Sequence, residues 1–564
     1  FNDTLSVGDR IKICHGNNGD LCSNYVTVTD GTISSGPSVD IAQQETGSSN
    51  SAVENQKDIT LLRFQANANG EDLLITQAQV EAAQGDLRDV QNYTFWVDTD
   101  GDGTVDTILE DGVATDGSRV TFNDMAGGGY VLPEDESIVF EVHGDVASSI
   151  SGGPIQLRFE IGLDGYIEME KLRDGSNLNG IQTDDGECRG ATGPECSISV
   201  TTADSTIWSF ASMGSLFVTK DSTPLRHRQL LGGTLAEAIL RLEFHAEDED
   251  IDVTDIRLDT NGDVSSVDRF ELYREGESTK FAEAIKGGCQ SDPGDYCANM
   301  ENAQLIIPRG YDVDVIVRPR MKTDEQGGVS GEVVRVGLES SYTSVEARGD
   351  SSGNNLTVAL LSDIWGKDNV SVHSKITSIR NANPDANGTA VPTGVSPIGQ
   401  FKFSAAGHNN SKNGDNDVLI KTIRFDVNGT NVAINASSFK FYNKADQTVT
   451  HSCQPFYIGG QPFTSDNISG VYTVLCTGID SSAVDSEIDD GRDITLVLQA
   501  DIVSPNIAAS NGGISVLQAA LTKFDMYDTD NDNIIWADKD QSTDQTFNWV
   551  EYPETSVKST SYNS

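Results

Sequence analysis

The feature of this 564-residue sequence that most constrains its fold is a block of strand-like motifs that occurs three times in the same order. Each copy has an apolar alternating segment, an acidic turn with a second alternating segment, and then an aromatic segment. The first segment reads LLRFQA (61–66), LRLEFHA (240–246) and FKFSA (401–405) in the three copies. The repeat period of roughly 160 to 180 residues is the length of a whole domain, which is longer than a solenoid repeat.

Alternation with a period of two predicts strands that each have one buried face and one solvated face. Short runs of this kind, bounded by Gly and Pro turns, favour two packed antiparallel sheets. We therefore predict an all-β chain of tandem immunoglobulin-like or jelly-roll-like antiparallel β-sandwich domains. The stretches AQVEAAQ (78–84) and TLAEAILRLEF (234–244) have some helical character, and the second also fits a strand.

The repeat predicts three units, with β-sandwiches at 31–200, 201–372 and 373–564 and a C-terminal strand extension on the third. Residues 1–30 resemble the end of a preceding unit, and residues 546–564 resemble the lead-in at 205–223. One hypothesis is that terminal strands complete sheets in neighbouring copies by strand addition, since unpaired edge strands act as connectors. The alternative is a pair of flexible tails.

The net charge of −49, from 87 acidic and 38 basic residues, narrows the classes of partner. Such a charge repels nucleic acid phosphates and anionic lipid, and it favours cations. No apolar run reaches the length of about 18 residues that a membrane-spanning helix needs, so no transmembrane segment is predicted.

The stretch FWVDTDGDGTVDTIL (95–109) contains the sequence's strongest candidate site. Aspartates recur on alternate positions before a turn glycine, Gly103, which is the spacing that gives a hard cation several oxygen ligands in one tight loop. Leu109 occupies the position of the EF-hand glutamate, so the helix-flanked EF-hand is not matched. The strand-like segments on either side of the aspartates fit a loop in a β-hairpin instead. We predict calcium here, with an unoccupied polar turn as the alternative; the predicted ligands are Asp98, Asp100, Asp102, Thr104 and Asp106.

Two other acidic stretches have weaker patterns. Asp528, Asp530 and Asp532 repeat the spacing, and Asp538 or Asp525 would have to complete the calcium shell. The run EDEDID (247–252) is expected to be a solvated turn.

Eight cysteines form four local pairs. Three pairs follow the pattern C-x4-G-x2-C, whose central turn can bring two Cα atoms within disulfide distance. We predict four disulfides and an oxidising, extracytoplasmic compartment, with zinc binding as the alternative. The pairs are Cys14 with Cys22, Cys188 with Cys196, Cys289 with Cys297, and Cys453 with Cys476.

The aspartate loop and the cysteine pairs both follow an aromatic segment of the repeat. In the second and third copies that segment leads to Cys289 and Cys453, whereas the first copy has the aspartate loop. This arrangement suggests that calcium stiffens the first unit as a disulfide stiffens the others.

Seven Asn-x-Ser/Thr sequons crowd into residues 355–467 and suggest a glycosylated face. The candidate sites are Asn355, Asn369, Asn387, Asn409, Asn428, Asn435 and Asn467.

Motifs for catalysis are scarce. The seven histidines are scattered, and G-x-S-x-G, HExxH and Gly-rich phosphate loops do not occur. We therefore do not expect an enzyme. A polysaccharide-degrading enzyme with a carboxylate pair is the third-ranked hypothesis.

Tandem acidic β-sandwiches with a calcium loop and local disulfides resemble prokaryotic cell-surface array or filament proteins, such as S-layer subunits and pilus-like fibres. The resemblance implies self-assembly outside the cell or on its surface, calcium-dependent rigidity and often glycans. The function predicted first is a structural subunit of a filament or surface layer that binds other copies of itself. The alternative is an adhesin or glycan-binding stalk, for which residues 453–476 are the candidate ligand-binding segment.

Overall fold

The computed structural model describes most of the chain. The described residues are 10–11, 14–15, 21–22, 26–29, 32–34, 37–44, 50–151, 153–159, 167–178, 181–182, 188–189, 197–201, 205, 207–288, 295–300, 304–341, 343–358, 360–408, 416–463, 465–527, 532–539, 544–551 and 554–564. Within these residues the regular elements are β-strands and six single 3-10 turns, so the prediction of an all-β chain is confirmed. The stretch at 78–84 lies inside the strand Leu73–Gln84, and its backbone pairs antiparallel with residues 119–122 and 156–159.

The structure describes nineteen strands up to residue 201. They are β1 (Arg10–Ile11), β2 (Cys14–His15), β3 (Leu21–Cys22), β4 (Val26–Thr29), β5 (Thr32–Ser34), β6 (Ser38–Gln44), β7 (Asn50–Val53), β8 (Ile59–Asn69), β9 (Leu73–Gln84), β10 (Val90–Val97), β11 (Thr107–Val113), β12 (Arg119–Phe122), β13 (Tyr130–Leu132), β14 (Ser137–Val146), β15 (Gln156–Phe159), β16 (Ile167–Lys171), β17 (Ile181–Gln182), β18 (Cys188–Arg189) and β19 (Ile198–Thr201).

The middle of the chain repeats this arrangement. Its strands are β20 (Trp208–Ala211), β21 (Ser215–Lys220), β22 (Gln229–Leu231), β23 (Leu240–Glu247), β24 (Ile251–Thr260), β25 (Val267–Arg274), β26 (Ala282–Lys286), β27 (Tyr296–Asn299), β28 (Ile306–Ile307), β29 (Asp312–Met321), β30 (Val333–Val334), β31 (Val336–Leu338), β32 (Val345–Gly349), β33 (Asn355–Thr357), β34 (Ile364–Trp365) and β35 (Asn369–Val372).

The last part has longer strands. They are β36 (Ser374–Asn381), β37 (Gly394–Gly407), β38 (Asp417–Asn435), β39 (Lys440–Asn443), β40 (His451–Ser452), β41 (Gln454–Tyr457), β42 (Asn467–Thr477), β43 (Glu487–Ile488), β44 (Asp493–Ser504), β45 (Val516–Thr522), β46 (Ile534–Lys539), β47 (Gln545–Phe547), β48 (Ser556–Lys558) and β49 (Tyr562–Asn563).

The sequence repeat reappears as a repeat of hydrogen bonding. In each unit one strand that comes after the block pairs antiparallel with both the first and the aromatic strand of the block. These central strands with their two neighbours are β14 with β8 and β10, β29 with β23 and β25, and β44 with β37 and β39. The second strand of each block pairs with a strand that follows the central one, as β9 with β15, β24 with β31, and β38 with β45.

The described residues form three hydrophobic cores along the chain. The first draws residues from 39–208, the second from 216–364 and the third from 370–562. Aromatic side chains from the repeated strands form the centre of the first core, where the rings of Phe64 and Phe140 stack with centroids 5.2 Å apart. The alternating burial of β8 is what places Phe64 inward.

Four strand pairings in the described residues are parallel, which the antiparallel prediction did not include. Parallel neighbours need a long connection, so such pairs join segments that are distant in sequence. Two of them lie where one unit follows another: β7 pairs with β20, and β22 pairs with β35. The segments between the cores are therefore strands within sheets.

The first joint is the set of contacts between residues 50–55 and the second unit. Besides the β7 and β20 pairing, the Arg309 guanidinium donates to the Ser51 carbonyl at 2.6 Å. On the second-unit side, the carboxylate of Glu249 accepts hydrogen bonds from Gly214 N, Ser351 N, Ser352 N and Ser352 Oγ at 2.7 to 3.0 Å. Glu249 is only 2% exposed, so the prediction that EDEDID is a solvated turn is wrong at this residue.

The second joint lies between the second and third units, where Asp538 and Glu551 accept hydrogen bonds from segments on both sides of residue 372. Asp538 is fully buried and accepts from Ser330 Oγ, His373 N and Ser374 Oγ at 2.6 to 2.7 Å. Glu551 accepts from Arg228 Nη1 at 2.9 Å, and its second oxygen accepts from the Gln229 amide at 2.8 Å. Two carboxylates of the third unit thus hold the joint.

The chain's terminal segments pair within the chain. Strands β48 and β49 pair with β45 of their own unit. Among the described residues of 10–34, β1, β4 and β5 form one small sheet and β2 and β3 form another, without a ladder to the first unit. The C-terminal extension is therefore part of the third sandwich, and it is not a free strand.

Candidate metal centre

The aspartate loop connects β10 and β11, which form an antiparallel hairpin with Val97 opposite Thr107. The Asp106 amide donates to the Val97 carbonyl at 3.0 Å and closes the loop at its base. Gly101 and Gly103 adopt φ values of 76° and 90°, the left-handed region in which other residues are strained. The sharp turn predicted at Gly103 is thus present.

The loop brings three of the predicted ligand side chains together. Carboxylate oxygens of Asp98, Asp100 and Asp106 lie within 4.8 Å of one another. Asp98 is 2% exposed, and its two oxygens accept from the amides of Gly101 at 2.8 Å and Gly103 at 2.7 Å. This anchored carboxylate lies at the floor of the cluster, while Asp100 and Asp106 lie on the solvent side.

The remaining two predicted ligands lie elsewhere on the loop. The Asp102 carboxylate is outside the three-residue group and accepts from the Thr104 amide at 2.7 Å. Thr104 is exposed. The arrangement is therefore three clustered carboxylates with a fourth at the rim.

Hydrogen bonds favour the charged form of one member of the cluster, Asp106. Hydroxyl groups of Thr107 and Thr99 donate to Asp106 and hold the pKa of its carboxyl below the usual range. Burial raises the pKa of the nearby Tyr130 phenol, and the charges of Asp98, Glu136 and Asp106 raise it further. Several carboxylate oxygens in a small loop are the donor set that a hard cation such as Ca²⁺ or Mg²⁺ prefers.

A network of charged side chains supports the loop from beneath. Arg63 donates to the Gly103 carbonyl and also pairs with Glu141 at 2.9 Å. Glu141 in turn lies 2.6 Å from His143 Nε2, and Asp58 lies 2.7 Å from His143 Nδ1. The network forms because the strand register places Arg63 opposite Glu141 on β8 and β14. The sequence alone does not indicate this register, so the network was not predicted.

The network predicts a pH dependence for the first unit. Burial lowers the pKa of His143, but hydrogen bonds and charges from Glu141 and Asp58 outweigh it, so the pKa rises above 6.5. The contribution of His143 is then fully present below pH 6.5 and is lost as the pH rises through the folded-state pKa. We expect the thermal unfolding midpoint of the first unit to be higher at about pH 6 than at about pH 8.

The measurement is calorimetric unfolding across that pH range, with His143→Gln and His245→Gln as matched variants. His245 is a partly exposed histidine of the second unit, paired with Asp312. The first variant should remove the pH dependence and the control should keep it. If the unfolding midpoint of His143→Gln still depends on pH as that of the parent does, other groups cause the pH dependence.

The second candidate calcium loop is only partly within the described residues. Asp528 and Asp530 lie outside them, and Asp532 is exposed and lies 3.6 Å from Arg424 Nη1. Asp538, one of the two residues expected to complete the shell, is fully engaged at the second joint. Asp538 is therefore a joint residue, because hydrogen-bond donors from both sides already occupy its oxygens.

The structure adds an acidic group that the sequence did not indicate. Carboxylate oxygens of Asp417, Glu487 and Asp489 lie within 4.8 Å of one another. Burial raises the pKa of Asp417, and the charges of Glu487 and Asp489 raise it further. Lys539 Nζ lies 2.7 Å from Glu487, so the chain supplies one cation of its own.

The structure contains the predicted disulfide between Cys453 and Cys476, with Cα atoms 4.4 Å apart. Cys297 is also disulfide-bonded, and its predicted partner Cys289 lies outside the described residues. Cys14 and Cys22 face each other in the β2 and β3 ladder. Cys188 begins β18, and Cys196 lies outside the described residues.

The proposed equivalence of aspartate loop and disulfides needs correction. The aspartate loop joins β10 to its return strand β11, whereas Cys453 comes after β40, the return strand of the third unit. The aspartate loop and the disulfide therefore occupy different positions in their units, because the cysteine comes one strand later.

The predicted sequons differ in accessibility. Asn355, Asn387 and Asn467 are exposed, Asn428 and Asn435 are half-buried, and Asn409 lies outside the described residues. Asn369 is fully buried, and its amide donates to the carbonyls of Lys367 and Val334. A glycan on Asn369 is incompatible with this packing, so that prediction is wrong for the folded chain.

No family model matches the chain, and no curated protein matches it. Among solved structures, it is similar to the BcpA*(D312A) major pilin subunit of Bacillus cereus, at 8% identity over 91% of this chain and 96% of that chain with a TM-score of 0.18. It is similar to a putative membrane anchored protein from Corynebacterium diphtheriae at 8% identity, over 93% and 95% of the two chains, with a TM-score of 0.18. It is also similar to collagen adhesin (CNA) from S. aureus at 10% identity, over 62% and 94%, with a TM-score of 0.12. These low values assign the chain to no family.

Among the described residues there is no helix with the length and apolarity that crossing a membrane requires.

Proposed function

We propose that this chain is a non-enzymatic structural subunit of an extracellular filament or surface layer. The observation that carries the proposal is that the connections between cores are folded into sheets and hydrogen-bonded to buried carboxylates. Domains joined by ordinary linkers move relative to one another by default. A chain whose joints contain the buried Glu249 and Asp538 and the half-buried Glu551 suits a stiff structural subunit.

Burying a carboxylate destabilises a fold unless hydrogen-bond donors surround it, so well-partnered carboxylates at the joints support a mechanical role. A hydrogen bond to a charged group stabilises by about 1.5–3 kcal/mol, and a buried charge without partners is strongly destabilising. Glu249 and Asp538 each have at least three donors within 3.0 Å. Asp538 therefore favours the orientation of the second joint that presents the Ser330 hydroxyl. Glu249 holds Gly214 and Ser351–Ser352 together on one side of the first joint.

We propose calcium as the resident cation of the aspartate loop, with Asp98, Asp100 and Asp106 as carboxylate ligands. Asp102 and the Thr104 carbonyl are the further ligands that the loop spacing offers. The ion would tie the tip of the β10 and β11 hairpin to its buried floor at Asp98. In an assembly of chains with net charge −49, divalent cations would also reduce repulsion between copies.

We assign strand addition between copies to the N-terminal segment. The C-terminal strands are already paired with β45. Among the described strands, β1 to β5 form two small sheets without a ladder to the first unit, so their outer edges can pair with a neighbouring copy. Exposed sequons such as Asn355 and Asn467 are where glycans would be attached.

The experiment is deletion of residues 1–34 from the chain. The deleted protein is expected to keep the unfolding transitions of its three units and to lose assembly in calcium, as measured by sedimentation velocity. A matched control replaces Val131, an exposed residue of β13, by threonine and should assemble normally. Undiminished assembly after the deletion would contradict the role of the segment.

One observation favours the alternative of an adhesin or glycan-binding stalk. The disulfide-closed hairpin 453–476 exposes Tyr457 and Ile458, at 45% and 71%. Beside it is an open groove of about 450 Å³ whose lining includes Arg424, Tyr472 and Lys523. An aromatic surface with polar neighbours suits a sugar ring. Binding of polysaccharide that is lost in Tyr457→Ala would support this second function.

A further inference from the structure

Two buried histidines meet at the second joint. His373 lies between β35 and β36, and His408 follows β37 directly. Ser374 and Gly407 are partners in the β36 and β37 ladder, and the His408 amide donates to the His373 carbonyl at 3.1 Å. The two residues thus face each other across neighbouring strands, and their rings lie edge to face with centroids 5.3 Å apart.

A carboxylate of the second unit reaches the same place. Asp324, in the 3-10 turn Asp324–Gln326, lies with its Oδ1 3.7 Å from His408 Nε2. Gly232 lies against the ring, where a Cβ would come within 2.9 Å of His408 Cδ2. Residues from both sides of the joint therefore enclose the histidine pair.

The ring of His373 is the unexplained part of this cluster. It is 3% exposed, and neither ring nitrogen has a hydrogen-bond partner. The Asp538 carboxylate close by is bonded to the His373 main-chain amide. A buried polar group without a partner costs folding free energy and needs a reason, of which a bound ion is one.

We propose that His373, His408 and Asp324 bind a divalent transition-metal ion of the zinc class across the second joint. Two imidazole nitrogens and one carboxylate oxygen are a borderline donor set, which suits zinc, nickel or copper and not calcium. Coordination would cross-link the second and third units. The inference does not depend on the proposed function.

The present geometry is close to a site and requires one adjustment. Ligand atoms on a tetrahedral zinc ion lie roughly 3.3 Å apart, and the separation of His408 Nε2 and Asp324 Oδ1 is 3.7 Å. The described groups with three ligand atoms already within 4.8 Å are the two acidic clusters, so the His373 ring must turn toward the other two on binding.

The test is calorimetric titration of the chelator-treated full chain with zinc chloride in excess calcium, which occupies the acidic loops. One tight equivalent is expected. His373→Gln and His408→Gln should each weaken it by more than about 100-fold. His245→Gln, a change at a partly exposed histidine, is the matched control and should bind as the parent does.

Asp324→Asn provides a variant that leaves both buried rings in place, and circular dichroism checks that every variant is folded. The Asp324→Asn change should weaken zinc binding and alter the visible spectrum of the cobalt-substituted protein. The proposal is overturned if the parent chain binds no zinc. It is equally overturned if zinc binds with the same affinity in all three variants, since the ion would then belong to an acidic cluster.

Discussion

Asp538→Ala is expected to lower the free energy of unfolding of the third unit by about 2–6 kcal/mol, because each buried donor left without a partner costs about 1–3 kcal/mol. The carboxylate is fully buried, and its removal leaves the Ser330 hydroxyl and the His373 amide without their acceptor, while the Ser374 hydroxyl keeps the Asp417 carbonyl at 2.9 Å. Since Ser330 lies in the second unit, the variant should also loosen the second joint.

Urea unfolding followed by hydrogen exchange measures this change and locates it in the chain. The matched control is Asp532→Ala, which removes an exposed carboxylate six residues earlier that pairs with Arg424 at 3.6 Å. Exposed pairs contribute about 0.2–1 kcal/mol, so the control should change little. Equal effects of the two variants would show that Asp538 does not hold the joint.

Calcium is expected to stabilise the first unit, by about 2.7 kcal/mol at a concentration one hundred times its dissociation constant. The ion would neutralise the mutual repulsion of Asp98, Asp100 and Asp106, and it would fix a loop that contains two left-handed glycines. Asp100→Asn should abolish most of this gain, because it removes a clustered carboxylate without disturbing the buried floor at Asp98.

Differential scanning calorimetry with calcium and with chelator checks the second prediction. Asp111→Asn is the matched control, since Asp111 is an exposed residue of β11 in the same hairpin. The control should respond to calcium as the parent does. If the parent has the same unfolding midpoint in calcium and chelator, the loop is only a polar turn.

The fold could be predicted because its determinants are local and repeated. Alternation in LLRFQA and its two counterparts sets which face of each strand is buried, and three copies in one order define three units. The hairpin of the aspartate loop was predictable for the same reason, since its turn glycine and aspartates are contiguous. The parallel pairs were not predictable, because β7 and β20 are separated by some 150 residues of chain.

Site residues were missed where their role depends on tertiary contacts. Glu249 looks like any member of an acidic run until Ser351 and Ser352 are brought to it. Asp538 looked like a metal ligand because of its neighbours in sequence, yet its partners come from residues 330 and 373–374. The spacing of charges along a chain does not indicate which ones a fold will bury.

Electron microscopy of the purified chain at high concentration, in millimolar calcium and in chelator, checks whether the chain assembles into an extracellular structure with stiff subunits. Filaments or sheets of rod-like subunits are expected in calcium and should disperse in chelator. Monodisperse particles under both conditions would show that the chain does not assemble.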